Sequence, residues 1–235
     1  MKMFNKKNNQ KVGTNDHRKN FLDENSSFAL REAYKNLRTN IRFFLNQDGC
    51  KKFCITSSTM GEGKSVTTLN LAISFAENGH KVLLIDADMR RPSLGNLLLR
   101  KVSPGLSNVL AGMEDKKNVI HKNVYSNLDV ILSGDVPPNP SELLDSERMK
   151  DLMDSVSKEY DYVLVDVPPV NAVSDARVIA KQLDGVLYLV RQKQTELDAV
   201  KHGIAQLKLA EARMLGFIIN GIDPEENKYC YKEYK

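Results

Sequence analysis

The sequence predicts one α/β domain built on a mostly parallel sheet with helices on both faces. Three observations lead there. Short runs that are apolar throughout alternate with helical stretches of about 10 to 18 residues, the pattern of strands buried on both sides by crossover helices. No internal repeat and no second apolar core interrupts that alternation. The 235 residues, 41% hydrophobic and 27% charged, suffice for one well-filled core and a short extension.

The elements follow in order. Residues 26–46 (SSFALREAYKNLRTNIRFFLN) read as an amphipathic helix, with Leu30, Ala33, Tyr34, Leu37, Ile41 and Phe44 or Leu45 at spacings of three and four. KKFCITS is a short buried strand, followed by a Gly-rich turn and a helix over 65–78 that Gly79 stops. KVLLID is the next strand. Residues 87–117 read as loop, with a short helix at GLSNVLAG. LDVILS is a third strand, and PPNP precedes one long helix over 141–160. YVLVD, a helix over 174–183, GVLYLV, a helix over 195–211 and MLGFIIN complete the domain. Right-handed crossovers bring the C-terminal strand ends and their loops to one edge. The boundaries expected are a flexible basic leader over 1–25, a domain over 26–222 with an N-terminal helical arm, and a mobile tyrosine-rich tail over 223–235.

Composition excludes several classes. No apolar run approaches the roughly 18 residues that a membrane span needs. The basic start MKMFNKKNNQ lacks the apolar stretch of a secretory signal, so the cytoplasm is the expected location. Cys50, Cys54 and Cys230 form no CxxC pair and the four histidines are scattered, which argues against a zinc site or a disulfide framework. The net charge of +4 is modest. Much of it lies in Lys2, Lys6, Lys7, Lys11, Arg18 and Lys19, a solvated leader or a weak attractant for an anionic membrane. There is no recognition motif for nucleic acid, and none is expected as a partner.

Chemistry begins at Ser58-Thr-Met-Gly-Glu-Gly-Lys-Ser65, between the first strand and its helix. The ending GEGKS is the second half of a phosphate-binding P-loop, G-x-x-x-x-G-K-[ST], with Ser58 at the place of the first Gly. Gly61 and Gly63 let backbone N–H groups turn toward phosphate oxygens, and the helix N-terminus behind adds its positive dipole end. Lys64 reaches the β and γ phosphates, and the Ser65 hydroxyl can ligate Mg²⁺. Met60, Gly61, Glu62, Gly63, Lys64, Ser65 and Val66 are the expected nucleotide contacts, and the fold is accordingly expected to be P-loop NTPase-like.

Two strands end in acids: KVLLID-A-DMRRP in Asp86 and Asp88, YVLVD-V-PP in Asp166. They lie on the P-loop edge of the sheet. Mg·ATP needs carboxylates to hold its metal, directly or through water, and phosphoryl transfer to a hydroxyl needs an acceptor for the proton. Arg90 and Arg91 either balance these acids or touch phosphate, or are a solvated pair.

Here a resemblance emerges. VLLIDADMRRP resembles the second Walker-type element of the bacterial protein-tyrosine kinases, VLVDVPP resembles their Walker B, and TSSTMGEGKS and SGDVPPNPSELL are similar to two further blocks of that family. The similarity runs from about Glu32 to the C-terminus. It implies an ATP-dependent, non-specific protein-tyrosine kinase using ATP and Mg²⁺. Lys64 and Ser65 would bind Mg·ATP, Ser65, Asp88 and Asp166 would hold the metal, and Asp86 would be the base for the tyrosine hydroxyl, with the split between Asp86 and Asp88 left open. Asn220 falls where related ATPases place an adenine-contacting Asn, and is otherwise a strand-end turn residue.

The family's E-x-x-R-x-x-R ring-assembly motif has its counterpart in Glu32, Lys35 and Arg38, with Lys in place of one Arg. The resemblance further implies a homo-oligomeric ring, a separate transmembrane activator that brings the kinase to the inner face of the membrane, and a role in export of capsular or extracellular polysaccharide. The runner-up readings are a partitioning-type P-loop ATPase and a nucleotide-gated scaffold of an export complex. Many partitioning ATPases carry a second lysine five residues before the P-loop lysine, and Thr59 stands there. Tyr229, Tyr231 and Tyr234 lie in a charged segment too poor in apolar surface to fold alone, and are the expected phosphorylation sites, modified in trans.

Overall fold

A computed structural model describes residues 21–23 and 25–222. Among these, seven strands form one sheet in the order β3-β4-β2-β5-β1-β6-β7. In chain order they are β1 (Lys51–Ser57), β2 (Val82–Asp86), β3 (Ile120–Tyr125), β4 (Leu128–Ile131), β5 (Tyr162–Asp166), β6 (Gly185–Arg191) and β7 (Met214–Asn220). All neighbours are parallel except β3 and β4.

Alternate strand residues feed two apolar layers, as a pleated sheet covered on both faces requires. On one face Phe53, Ile55, Leu84, Leu164 and Leu187 pack under α1 (Phe28–Phe44), α2 (Lys64–Glu77) and α3 (Leu94–Leu98). On the other, Cys54, Leu83, Ile85, Val163, Val165 and Tyr188 pack under α4 (Leu106–Leu110), α6 (Pro140–Leu144), α7 (Glu147–Val156), α8 (Asp175–Ala180) and α9 (Leu197–Leu209). α5 (Lys116–Val119) leads directly into β3.

Three sequence readings need correction. The long helix over 141–160 is two helices. Pro140 occupies the first turn of α6, and Ser146 then caps α7 by accepting the Met149 N–H at 3.3 Å. Asp145-Ser146 offers the backbone a cap in place of another helical turn. The stretch 87–117 also holds α3 and the start of α5, besides the expected α4. Finally, the sequence does not predict β3, because IHKNVY carries His, Lys and Asn, residues foreign to a buried strand. It is an edge strand, antiparallel to β4 with a register shift. Asp129 of β4 stabilises it, accepting from the Asn123 N–H at 2.7 Å, Lys122 Nζ at 2.9 Å and the Tyr160 hydroxyl at 2.6 Å.

No helix among the described residues is long and apolar enough to cross a membrane. The leader before residue 21 and the tail from residue 223, with Tyr229, Tyr231 and Tyr234, lie outside the described residues.

Candidate active site

β1 ends at Ser57 and α2 begins at Lys64, so residues 58–63 must reverse the chain in a tight space. Gly61 and Gly63 do this with φ of +80° and +100°, the left-handed region that costs a side chain dearly. Gly63 is needed twice, because a Cβ there would run into the Asn220 side-chain amide. Gly63 caps α2 with no side chain of its own, leaving the helix-start N–H groups facing the loop.

Lys64 is buried at 8% exposure, while Ser65 and Val66 are half-buried at the start of α2. Met60 stands exposed at the loop tip, with Arg91 Nη1 3.2 Å from its sulfur. The Glu62 side chain points inward and is fully buried, so its contribution is to the loop's shape.

The acids converge as the strand pattern predicts. Asp86 and Asp166 are register partners at the ends of β2 and β5, and both are buried. Asp86 Oδ1 accepts the Asp88 N–H at 3.2 Å, and Asp88 Oδ1 accepts the Arg91 N–H at 3.0 Å. Asp86 Oδ2 and both Asp166 carboxylate oxygens have no hydrogen-bond partner. Buried carboxylate oxygens without donors are costly unless a cation or a proton completes them.

The protonation equilibria reflect this. Burial pushes Asp86 well above the ordinary carboxylate range, and the negative charges of Asp166 and Asp88 add to the shift. Burial pushes Asp166 up to about 6, against the pull of the Lys64 ammonium and the nearby Ser65 hydroxyl. Asp88, half-buried, is raised by desolvation too, opposed by the Arg91 N–H and by Lys64. A divalent cation fits this donor set: carboxylates too dry to ionise readily, beside a hydroxyl and a lysine, under a glycine-lined turn.

The arginine pair resolves into two roles. Arg90 forks onto Asp175, Nε to Oδ2 at 2.9 Å and Nη2 to Oδ1 at 3.1 Å, and Asp175 is fully buried at the start of α8. Arg90 thus balances a carboxylate, but not one of the three expected. Sequence reasoning missed Asp175. Its signal was weak, an acid in the first turn of a helix, where a capping or dipole role is the ordinary reading.

Asn220 ends β7 beside the loop. Its Nδ2 donates to the Glu62 carbonyl at 2.8 Å and its Oδ1 accepts the Gly221 N–H at 2.8 Å. Glu32, Lys35 and Arg38 lie on α1, which packs against α2. Lys35 pairs with Glu32 at 3.1 Å, and Arg38 turns inward to the Ser74 carbonyl and to its hydroxyl, the latter at 3.0 Å. This motif is on the helix layer behind the P-loop, apart from the carboxylates.

The profile of the AAA domain family matches residues 50–213. Tyrosine-protein kinase YwqD of Bacillus subtilis is 38% identical over 190 residues, 81% of this chain and 80% of YwqD. EpsB of Ralstonia solanacearum is 40% identical over 200 residues, and the chain spans 27% of the length of that relative. The kinase domain of the Escherichia coli tyrosine kinase ETK superposes with a TM-score of 0.79 at 37% identity, covering 82% of this chain and 76% of that one. A more distant likeness is the septum site-determining protein MinD of Pyrococcus horikoshii, complexed with Mg-ADP, at a TM-score of 0.61 and 26% identity over 78% of each chain. A P-loop, two acidic strand ends on one sheet edge and these relatives together place the chain in the bacterial tyrosine-protein kinase family, with that family's AAA domain.

Proposed function

We propose that the chain is an ATP-dependent protein-tyrosine kinase whose own C-terminal tyrosines are substrates. The observation that carries this reading is the pair Asp86 and Asp166, buried behind the P-loop with carboxylate oxygens that no protein donor completes. A nucleotide-binding switch needs acids to hold a metal. A kinase also needs an acceptor for the hydroxyl proton, and a carboxylate whose proton affinity is raised by burial suits that task.

In this reading the backbone of Met60–Val66 and Lys64 hold the phosphates, and Asn220 borders the nucleotide. Ser65, Asp88 and Asp166 would hold Mg²⁺. When bound, Mg²⁺ neutralises charge on the β and γ phosphates. The phenolic oxygen of a tyrosine forms the new bond to the γ phosphorus as the bond to the ADP oxygen breaks, and Asp86 takes the phenolic proton. Lys64 stabilises charge on the transferred phosphoryl group.

Tyr229, Tyr231 and Tyr234 follow Gly221 by 8, 10 and 13 residues, and a neighbour in a ring would receive them at high effective concentration. Assembly through the α1 face carrying Glu32 and Lys35, and a transmembrane activator, complete the proposal, with capsular or extracellular polysaccharide export as its setting. The likeness to MinD supports a second reading, an ATPase that positions other proteins without transferring phosphate to them. One assay separates the two. With Mg·ATP and the cytoplasmic segment of an activator, the kinase yields phosphotyrosine on the chain, whereas the ATPase yields ADP and inorganic phosphate with none.

A further inference from the structure

Glu62 is a fully buried carboxylate that the proposed chemistry does not use. Its Oε2 accepts the Ser58 N–H at 3.1 Å, and its Oε1 accepts the Thr59 hydroxyl at 3.0 Å. These two bonds lie within the phosphate loop. A third comes from outside it: the Thr195 hydroxyl, in the segment joining β6 to α9, donates to Oε1 at 2.7 Å. Hydrogen bonds to a charged acceptor are about twice as strong as neutral ones, and more so away from water.

Thr195 is itself held. Its hydroxyl accepts the Arg191 N–H at 2.9 Å, so the one oxygen closes the turn after β6 and passes a hydrogen bond on to Glu62. The Arg191 side chain adds a parallel tie, Nη1 to the Gly61 carbonyl at 2.9 Å. Asn220, the register partner of Arg191 on β7, makes the last one, to the Glu62 carbonyl. Arg191 and Asn220 at the ends of β6 and β7, with Thr195 just beyond β6, therefore hold Gly61 and Glu62 in the middle of the loop.

We propose that Thr195 is a positioning residue for nucleotide binding: through the buried Glu62 carboxylate it fixes the backbone turn of residues 58–63, so that the β6–α9 segment governs affinity for the phosphates of ATP. The proposal rests on the reading of this loop as the ATP site. A loop held by one bond fewer spends part of its time with its N–H groups misdirected, which lowers affinity. Transfer from the correctly bound complex is unaffected.

The test is calorimetric titration of Mg·ATP into the full chain, paired with the rate of phosphotyrosine formation at saturating ATP. Loss of the Thr195 hydroxyl removes both its bond to the Glu62 carboxylate and its acceptor for the Arg191 N–H, and predicts that Thr195→Val raises Kd about tenfold, with the saturating rate within about twofold of wild type. Thr195→Ser, which keeps the hydroxyl, restores Kd to within about twofold. Circular dichroism checks folding, and Thr195→Ala, smaller and at a half-buried position, replaces the Val variant with the same expectation if that one does not fold. Wild-type affinity in Thr195→Val, or an equal loss in Thr195→Ser, overturns the strut while leaving the ATP site standing. A wild-type chain that binds no Mg·ATP overturns the site reading and the strut with it.

Discussion

Asp86 and Asp166 stand opposite each other in parallel register at the ends of β2 and β5, both buried, with Asp86 Oδ2 and both Asp166 oxygens unpartnered. Adjacent parallel strands force their last side chains into proximity, so two acids ending such strands must share one dry space. The fold thereby stores electrostatic strain where the chemistry is proposed to occur.

The first prediction follows directly. Asp86→Asn removes the cost of burying an ionisable carboxyl beside Asp166 while keeping an acceptor for the Asp88 N–H. The nucleotide-free chain should become more stable, with Tm rising by about 3–6 °C, and phosphotyrosine formation should fall to background. Differential scanning calorimetry and an anti-phosphotyrosine assay on the same preparation check both halves. An unchanged or lowered Tm would show that the pair carries no strain.

The second concerns pH. The folded pKa values of Asp86 and Asp166 both lie above the ordinary carboxylate value, that of Asp166 at about 6. Folding therefore favours their protonated forms. Their contribution to stability is fully present below the unfolded value of about 4 and is lost as pH rises through the folded values. Between pH 5 and 7.5 the Tm of the nucleotide-free chain should fall by about 5 °C, and the Asp86→Asn/Asp166→Asn double variant should lose most of that dependence. Equal slopes in the two proteins would refute the assignment.

How much of this was legible beforehand depends on what each residue does. The strands β2, β5 and β6 declared themselves by apolar runs that the sheet buries, whereas β7 reads as apolar although it is an edge strand with Phe217 and Ile219 exposed. β3 did not, since its His, Lys and Asn are foreign to the apolar pattern of the other strands and belong to a polar edge tied to Asp129 of β4. The P-loop and the acids Asp86, Asp88 and Asp166 were visible because their spacing to strand ends is local. The carboxylate roles of Glu62 and Asp175 were hidden, since their partners Thr195 and Arg90 lie 133 and 85 residues away.

Gly63 supplies the third prediction. At φ +100°, with the Asn220 amide filling the space a Cβ would take, Gly63→Ala should cost about 2–3 kcal/mol in urea unfolding. Adding Asn220→Ala should relieve the clash but not the backbone strain, recovering part of the loss. A full recovery would place the whole cost in the clash.

The fourth tests the hidden pair. Arg90→Ala leaves the fully buried Asp175 without its fork, and should destabilise the chain by about 3 kcal/mol, whereas Asp175→Asn in the same background should restore part of that stability. Because Arg90 is itself partly exposed, the double variant isolates the buried charge. If Arg90→Ala alone unfolds at the wild-type urea midpoint, solvent already compensates Asp175.

The most direct test of the kinase reading mixes two chains. A Lys64→Met chain with its tail intact is incubated with an active chain lacking residues 223–235, together with Mg·ATP and an activator's cytoplasmic segment, and its phosphopeptides are mapped by mass spectrometry. Phosphate on Tyr229, Tyr231 or Tyr234 of the Lys64→Met chain is the predicted result. ATP consumed to ADP and inorganic phosphate, with those tyrosines unmodified, would contradict it.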